Sequence, residues 1–230
     1  MVLLLASFIQ GLTGFGFSLL AIPLLTLVIG VKNAVTLGVI CGICVTFYNV
    51  WTLRSHFTFG SIKELVIGSL LGIPLGSYYL RETHSGAVRT LLGIVILVFV
   101  LFSMLSLPRL RSLNRLWGYF FGVAAGICGG AVSVSGPPVL IYSYIKDWNK
   151  EEFKGTIAAY FFVTGLLIFA SHLLTGSTNS TTLLRFIALS PFLVLGAFSG
   201  HYFFNRIDGK VFRRIILGIL LILGILMLVL

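Results

Sequence analysis

Charged residues are scarce in this chain of 230 residues. They make up 10% of it, against about 25% in soluble domains, while apolar residues reach 58%. The few charges leave eight uncharged runs of at least 16 residues, at 1–31, 33–53, 65–80, 90–108, 116–145, 155–184, 186–205 and 215–230. Because about 20 apolar residues cross a bilayer, the pattern argues against a soluble domain. It predicts an all-α polytopic membrane protein with about eight hydrophobic segments.

Acidic residues and cysteines are also few. The six Asp and Glu residues lie at the ends of the apolar runs, so no buried carboxylate is expected to bind Na⁺ or relay protons. The three cysteines, Cys41, Cys44 and Cys128, lie within apolar runs and are interpreted as inert thiols. No metal site or cofactor is predicted. The net charge of +10 comes from basic residues near segment ends, which fits a lipid bilayer and argues against a nucleic-acid partner.

The fifth run contains the poorest helix-forming stretch of the chain, from Gly126 to Pro138. Glycine costs about 1 kcal/mol and proline about 3 kcal/mol in a helix interior, so a break is predicted here. Inside a bilayer, a broken backbone is tolerated only where it is buried in protein or lines a cavity. A similar stretch lies 115 residues earlier, with matches of Gly11 to Gly126, Gly14 to Gly129, Ser18 to Ser133 and Pro23 to Pro138.

The correspondence predicts two four-segment repeats, at 1–108 and 116–230, joined by a basic loop at 109–115. The first segment of each repeat is broken, and it either spans the membrane or re-enters. Re-entry would place twelve of the 16 Lys and Arg residues on one side, a more uneven division than full spanning gives. Because the positive-inside rule favours the uneven division, we expect re-entrant segments and two inverted units, as in many transporters.

The broken segments suggest an uncharged anion site. Free N–H groups of glycines and half-helix N-termini attract anions without a basic side chain, and hydroxyl groups add donors. The predicted substrate-binding residues are Gln10, Thr13, Gly14, Ser18, Asn33, Gly129, Gly130, Ser133, Ser135 and Gly136. The predicted helix-break residues are Gly11, Pro23, Gly126, Pro137 and Pro138. The plainer alternative is that both glycine-rich stretches only allow close helix packing.

The paired motifs, Gly-x-x-Gly followed by Pro-Leu-Leu at 11–25 and Gly-x-x-Gly-Gly followed by Gly-Pro-Pro at 126–138, resemble the sulfite exporter TauE/SafE family. This family belongs to the wider toluene-sulfonate uptake permease group, and the resemblance covers essentially the whole chain. It implies secondary transport of sulfur oxyanions or organosulfonates across the plasma (inner) membrane. Phe15 and Phe17 stand where the family often has glycine. We expect them to narrow the cavity or favour an apolar substituent.

Other functions remain open at this stage. A passive anion channel would use the same donors, and a structural membrane subunit would need none of them. An intramembrane serine hydrolase could use Ser133 or Ser135 with His172 or His201, although neither serine has the glycine two positions earlier that a nucleophile elbow requires. The two histidines are also candidates to carry a coupling proton, with an interfacial position as the plainer interpretation. The oligomeric state is left open.

Overall fold

The computed structural model describes residues 1–53, 62–105, 114–145, 150–203 and 209–230, and these residues form helices and no strands. Four helical stretches are long and apolar enough to cross a bilayer: Val31–Thr52, Ser85–Met104, Gly155–Leu174 and Ser180–Phe203. The prediction of an all-α polytopic membrane protein is therefore confirmed. The helices are α1 (Val2–Thr13), α2 (Phe17–Ile29), α3 (Val31–Leu53), α4 (Lys63–Glu82), α5 (Ser85–Met104), α6 (Arg115–Val132), α7 (Gly136–Ile145), α8 (Lys150–Leu174), α9 (Ser180–Phe203) and α10 (Gly209–Val229).

The first and fifth hydrophobic segments are both broken into two helices. Helix α1 ends at Gly14 (φ 85°) and α2 begins after Gly16 (φ 98°), whereas α6 ends at Ser133 (φ 56°). These left-handed conformations stop each helix, and the N–H groups of Gly14 and Ser133 bond carbonyl groups of the last turn. Gly14 and Ser133, which end α1 and α6, are 119 residues apart. The offset between the matching sequence stretches is 115 residues, about one helical turn shorter.

The residues predicted to break the helices lie inside them. Gly11 is within α1, Pro23 within α2 and Gly126 within α6. Pro137 and Pro138 occupy the first turn of α7, where a missing N–H group leaves no hydrogen bond unmade. The breaks lie at 14–16 and 133–135, within the predicted stretches 11–23 and 126–138. The individual break residues are corrected, because left-handed backbone ends these helices and the prolines do not.

Two helix pairs approach each other unusually closely. Helix α4 packs along α6, and α1 packs along α9, both in the parallel sense. A Cβ atom added at Gly72 would overlap the carbonyl oxygen of Val123, and one added at Gly200 would overlap that of Phe8. Such backbone contact is possible only where side chains are absent.

The helix contacts of α1–α5 and α6–α10 correspond to one another. Each helix of α1–α5 can be matched with the helix five places later in the chain. The contact of α4 with α6 then corresponds to that of α9 with α1, and the contact of α3 with α9 to that of α8 with α4. The equivalent helices α3 and α8 run antiparallel, since Phe47 packs against Phe162 (5.8 Å between ring centroids) while Ile43 lies beside Gly165. Opposite directions of matching helices are expected of inverted units.

The broken segment of the second half is a hairpin. Helix α7 returns along α6, so that Tyr142 near its end contacts Phe121 near the start of α6, with ring centroids 5.9 Å apart. The chain therefore leaves this hairpin on the side where α6 began. The start of α6 is marked by Arg115, whose Nε lies 3.9 Å from Oε1 of Glu64. Most of the predicted connecting loop, at 109–113, lies outside the described residues.

Candidate cavity between the two helix breaks

A cavity of about 60 Å³ lies between the two helix breaks and beside the middle of α3 and α8. This space is larger than a single water molecule requires. Both halves of the chain contribute to its wall. The lining residues are Gln10, Gly16, Ser18, Leu19, Gly38, Val39, Gly42, Ile43, Thr46, Ser133, Val134, Ser135, Gly136, Phe161, Thr164, Gly165 and Ile168.

The wall of the cavity is uncharged but carries unused hydroxyl groups. None of the lining residues is Asp, Glu, Lys, Arg or His. Ser18 lies at the first break and Ser135 at the second, and neither hydroxyl makes a hydrogen bond within the described part of the chain. By contrast, the hydroxyl groups of Thr46 and Thr164 donate to carbonyl groups of their own helices. The free donors of the cavity thus come from the breaks.

Gln10 adds an amide whose orientation is determined by its neighbour. Its Oε1 accepts a hydrogen bond from the backbone N–H of Phe17 at 3.1 Å, across the first break. An N–H group can only donate, so the oxygen must face Phe17, and Nε2 remains as the free end of the carboxamide. Gln10 is buried and lines the cavity. It therefore holds α1 against α2 and offers two N–H donors.

The N-termini of α2 and α7 both lie at the cavity. The first N–H groups of a helix have no partner in their own helix, and they carry the positive end of the helix dipole. In α2, the N–H groups of Ser18 and Leu19 bond no acceptor in the described part of the chain. Helix α7 offers fewer donors, because Pro137 and Pro138 have no N–H group. The wall is therefore richer in donors at the first break than at the second.

Five of the ten predicted substrate-binding residues line the cavity, and two more lie at its edge. Gly14 ends α1 at the first break, and a Cβ atom at Gly129 would stand 3.3 Å from that of Ser135. Ser133 donates to the carbonyl of Val35 at 3.1 Å, which ties the second break to α3. The five in the lining are Gln10, Ser18, Ser133, Ser135 and Gly136.

The other three predicted residues lie outside the cavity lining. The hydroxyl of Thr13 bonds the carbonyl of Ile9, and Asn33 is exposed at the start of α3. Gly130 faces α4, where a Cβ atom would overlap the carbonyl of Ile73. These positions have structural contacts and no direct access to the cavity.

The lining residues of α3 and α8 were missed by the sequence reasoning. A spacing signal was present in α3, where Gly38, Gly42 and Thr46 follow one another at intervals of four residues and so share a helix face. The phenylalanines expected to narrow the cavity are not in its lining. Phe15 packs against Phe99 and Phe153 with ring centroids 6.4 Å apart, and Phe17 is buried. The aromatic residue of the wall is instead Phe161.

The two histidines considered in the sequence have different surroundings. His172 is fully buried in the last turn of α8, and its Nε2 lies 2.8 Å from the carbonyl oxygen of Gly130. The ring of His201 packs on Tyr48, with centroids 6.5 Å apart. The Ser133 hydroxyl donates to Val35, and the Nε2 of His172 is bonded to Gly130, so these two residues do not form a nucleophile–base pair.

An uncharged cavity between broken helices, with helix N-termini beside it, is typical of a membrane transport protein. The family model described as Sulfite exporter TauE/SafE matches residues 1–227, and the chain belongs to this family. A curated relative is the "Probable sulfite/organosulfonate exporter TauE" of Cupriavidus necator. It is 24% identical over 226 residues, which cover 95% of this chain and 88% of that protein. No solved structure matches the chain. Family membership supports transport of small anions.

Proposed function

We propose that this protein is a secondary transporter of sulfur oxyanions or organosulfonates in the plasma (inner) membrane, and that the cavity between the helix breaks is its substrate site. One observation carries the proposal: the free donors of both inverted halves meet at an uncharged cavity beside the middle of α3 and α8. In membrane transporters with inverted repeats, the substrate site lies near the bilayer midplane between the repeats.

An uncharged site suits an anion that must be released again. Hydrogen bonds to a charged ligand contribute about 1.5–3 kcal/mol each, and helix N-termini add a favourable dipole. The hydroxyl groups of Ser18 and Ser135 and the amide of Gln10 supply three side-chain donor groups from different parts of the wall. A sulfite or sulfonate group presents three oxygen acceptors. The three donor groups therefore match the three acceptor oxygens of the head group. The site has no basic side chain, which would hold the anion too firmly.

The remaining wall is apolar and limits substrate size. Val39 and Ile43 of α3 and Phe161 and Ile168 of α8 line the cavity. A volume of about 60 Å³ admits sulfite or a sulfonate with a very small substituent, and a larger substituent would require the wall to move. We therefore expect small sulfur oxyanions to bind better than aromatic sulfonates.

Ligand-induced stabilisation of the purified protein tests the substrate class. Sulfite, thiosulfate, sulfate, methanesulfonate and toluenesulfonate would be compared by thermal unfolding in detergent, with chloride as the control. A ligand that binds the folded state must raise its stability, by about 2.7 kcal/mol at 100 times Kd. We expect sulfite or methanesulfonate to raise the Tm. No shift with any sulfur oxyanion would contradict the proposal.

Flux in proteoliposomes tests the site and the mechanism. Ser135→Leu and Gly129→Leu place a large side chain at the second break, and both are expected to abolish flux in correctly inserted protein. Labelled substrate should also accumulate against an unlabelled pool by counterflow, because a carrier exchanges and a passive channel does not. Unchanged flux in both variants, or flux without counterflow, would overturn the assignment.

A further inference from the structure

Two buried polar side chains lie just beyond the cavity, on the helices that form its side walls. Asn49 of α3 is 2% exposed and His172 of α8 is 0% exposed. Nδ2 of Asn49 and Nδ1 of His172 are buried atoms without a hydrogen-bond partner. A buried polar atom without a partner costs about 1–3 kcal/mol, so neither is explained by stability. Neither residue is part of the cavity lining.

Both side chains continue the cavity-facing stripe of their helix. On α3, the lining residues Gly38, Gly42 and Thr46 are followed at the same face by Asn49. On α8, the lining residues Phe161, Gly165 and Ile168 are followed by His172. In each helix the buried polar residue stands eleven positions after the first member of the stripe. This helical spacing places it on the cavity side, one turn beyond the last lining residue.

The two stripes run in opposite directions, as expected for inverted units. Because α3 and α8 are antiparallel and Ile43 lies beside Gly165, Asn49 and His172 are separated by about 20 Å along the helix axes. One lies past the first helix break and the other past the second. Each half of the molecule thus places one unpaired polar atom between the cavity and a different end of the helix bundle.

We propose that Asn49 and His172 line the two access paths of the transporter, one toward each side of the membrane, and that each contacts the hydrated oxyanion on its way to or from the cavity. The inference rests on the proposed function and extends it beyond the substrate site. Nδ2 of Asn49 donates to an anion oxygen directly. Nε2–H of His172 donates to the Gly130 carbonyl, so neutral Nδ1 accepts a hydrogen bond from the water shell of the anion.

Sidedness of chemical modification tests the geometry without any knowledge of the substrate. Asn49→Cys and His172→Cys would be made in a background with Cys41, Cys44 and Cys128 replaced by Ala. A membrane-impermeant thiol reagent is then added from either side of sealed vesicles. We expect the two positions to react from opposite sides. Reaction of both cysteines from the same side would overturn the proposal. It would also be overturned if neither cysteine reacts in a protein that still transports.

Transport by variants tests the role in the paths. Asn49→Leu and His172→Leu should lower sulfite flux at least tenfold, whereas Thr52→Leu, at an exposed position of α3, and Ser171→Leu, on another face of α8, should change it less than twofold. The Tm increase caused by sulfite should persist in all four variants, because the cavity is intact. Asn49→Gln and His172→Gln should recover part of the flux. Wild-type flux in both Leu variants, or loss of the sulfite-induced Tm increase, would contradict the assignment.

If sulfite raises the Tm of neither the wild-type protein nor any variant, the proposed substrate is wrong. The labelling experiment still tests the two access paths in that case.

Discussion

At the scale of single residues, the second helix break depends on a serine in an unusual conformation. Ser133 has φ 56°, the only positive φ of a non-glycine residue in the described part of the chain. Its hydroxyl donates to the carbonyl of Val35, so the side chain stabilises the break while its Cβ atom strains it. Left-handed backbone costs about 1–2 kcal/mol for a residue other than glycine.

Substitutions of Ser133 should separate these two effects. In Ser133→Gly the strain is relieved while a hydrogen bond of about 1 kcal/mol is lost, so the Tm should change little. Ser133→Val loses the hydrogen bond and places a β-branched side chain at positive φ, so the Tm should fall by several degrees. Thermal unfolding in detergent measures both. Equal Tm values for the two variants would show that backbone strain does not govern this position.

Removal of single cavity hydroxyl groups should weaken anion binding without loss of the fold. We expect Ser18→Ala and Ser135→Ala each to raise the Kd for sulfite about tenfold, because a hydrogen bond to a charged group contributes about 1.5–3 kcal/mol. Ser190→Ala is the matched control, since its hydroxyl bonds the carbonyl of Ile187 within α9 and is outside the cavity lining. Titration calorimetry checks the three variants, and an unchanged Kd in both cavity variants would remove these serines from the site.

Polar residues near a break predicted the cavity lining only where their helix face is directed toward the cavity. Gln10, Ser18 and Ser135 were predicted and line the cavity. Asn33 is exposed instead, since it begins α3 and bonds the carbonyl of Ile29. Nearness in sequence to a break does not specify the direction of a side chain, which follows from packing against helices of the other half.

At the scale of helices, glycine has two different uses in the broken segments. In α6, Gly122, Gly126 and Gly130 let the backbone of α4 approach, and they remain helical. Only Gly14 and Gly16 adopt left-handed backbone at the first break. Composition alone does not separate these uses, and for that reason the residues predicted to break the helices lie on either side of the breaks at 14–16 and 133–135. The number of hydrophobic segments, in contrast, followed directly from the bilayer thickness.

The close approach of α4 and α6 makes a specific stability prediction. A Cβ atom at Gly72 would overlap the Val123 carbonyl, so Gly72→Ala should force the helices apart and lower the Tm clearly. Gly218→Ala in α10 is the matched control, because nothing lies within 4 Å of an added Cβ atom there. In the control, alanine should stabilise the helix by up to about 1 kcal/mol. Similar Tm changes in both variants would exclude tight packing as the role of Gly72.

At the scale of the whole molecule, two contacts establish which helix ends lie together. Nζ of Lys32, at the start of α3, donates to the carbonyl of Arg81 near the end of α4, at 2.9 Å. At the other end of α4, Glu64 lies beside Arg115 at the start of α6. Because Glu64 and Arg81 are 17 residues apart in α4, these two contacts are separated by about 25 Å. We therefore expect them near opposite faces of a bilayer, as the re-entrant arrangement requires.

Cysteine labelling should reveal this arrangement and its orientation. His84, after α4, and Ser180, which begins α9, should lie on one side, because α8 ends beside the C-terminal half of α4, through His172 and Gly130. Asn114 before α6 should lie on the opposite side, which the excess of basic residues assigns to the cytoplasm. Single-cysteine variants at these positions, in the cysteine-free background, would be treated with an impermeant reagent in oriented vesicles. If His84→Cys and Asn114→Cys react from the same side, α5, which lies between them, does not cross the bilayer, and the inverted arrangement of the two units fails with it.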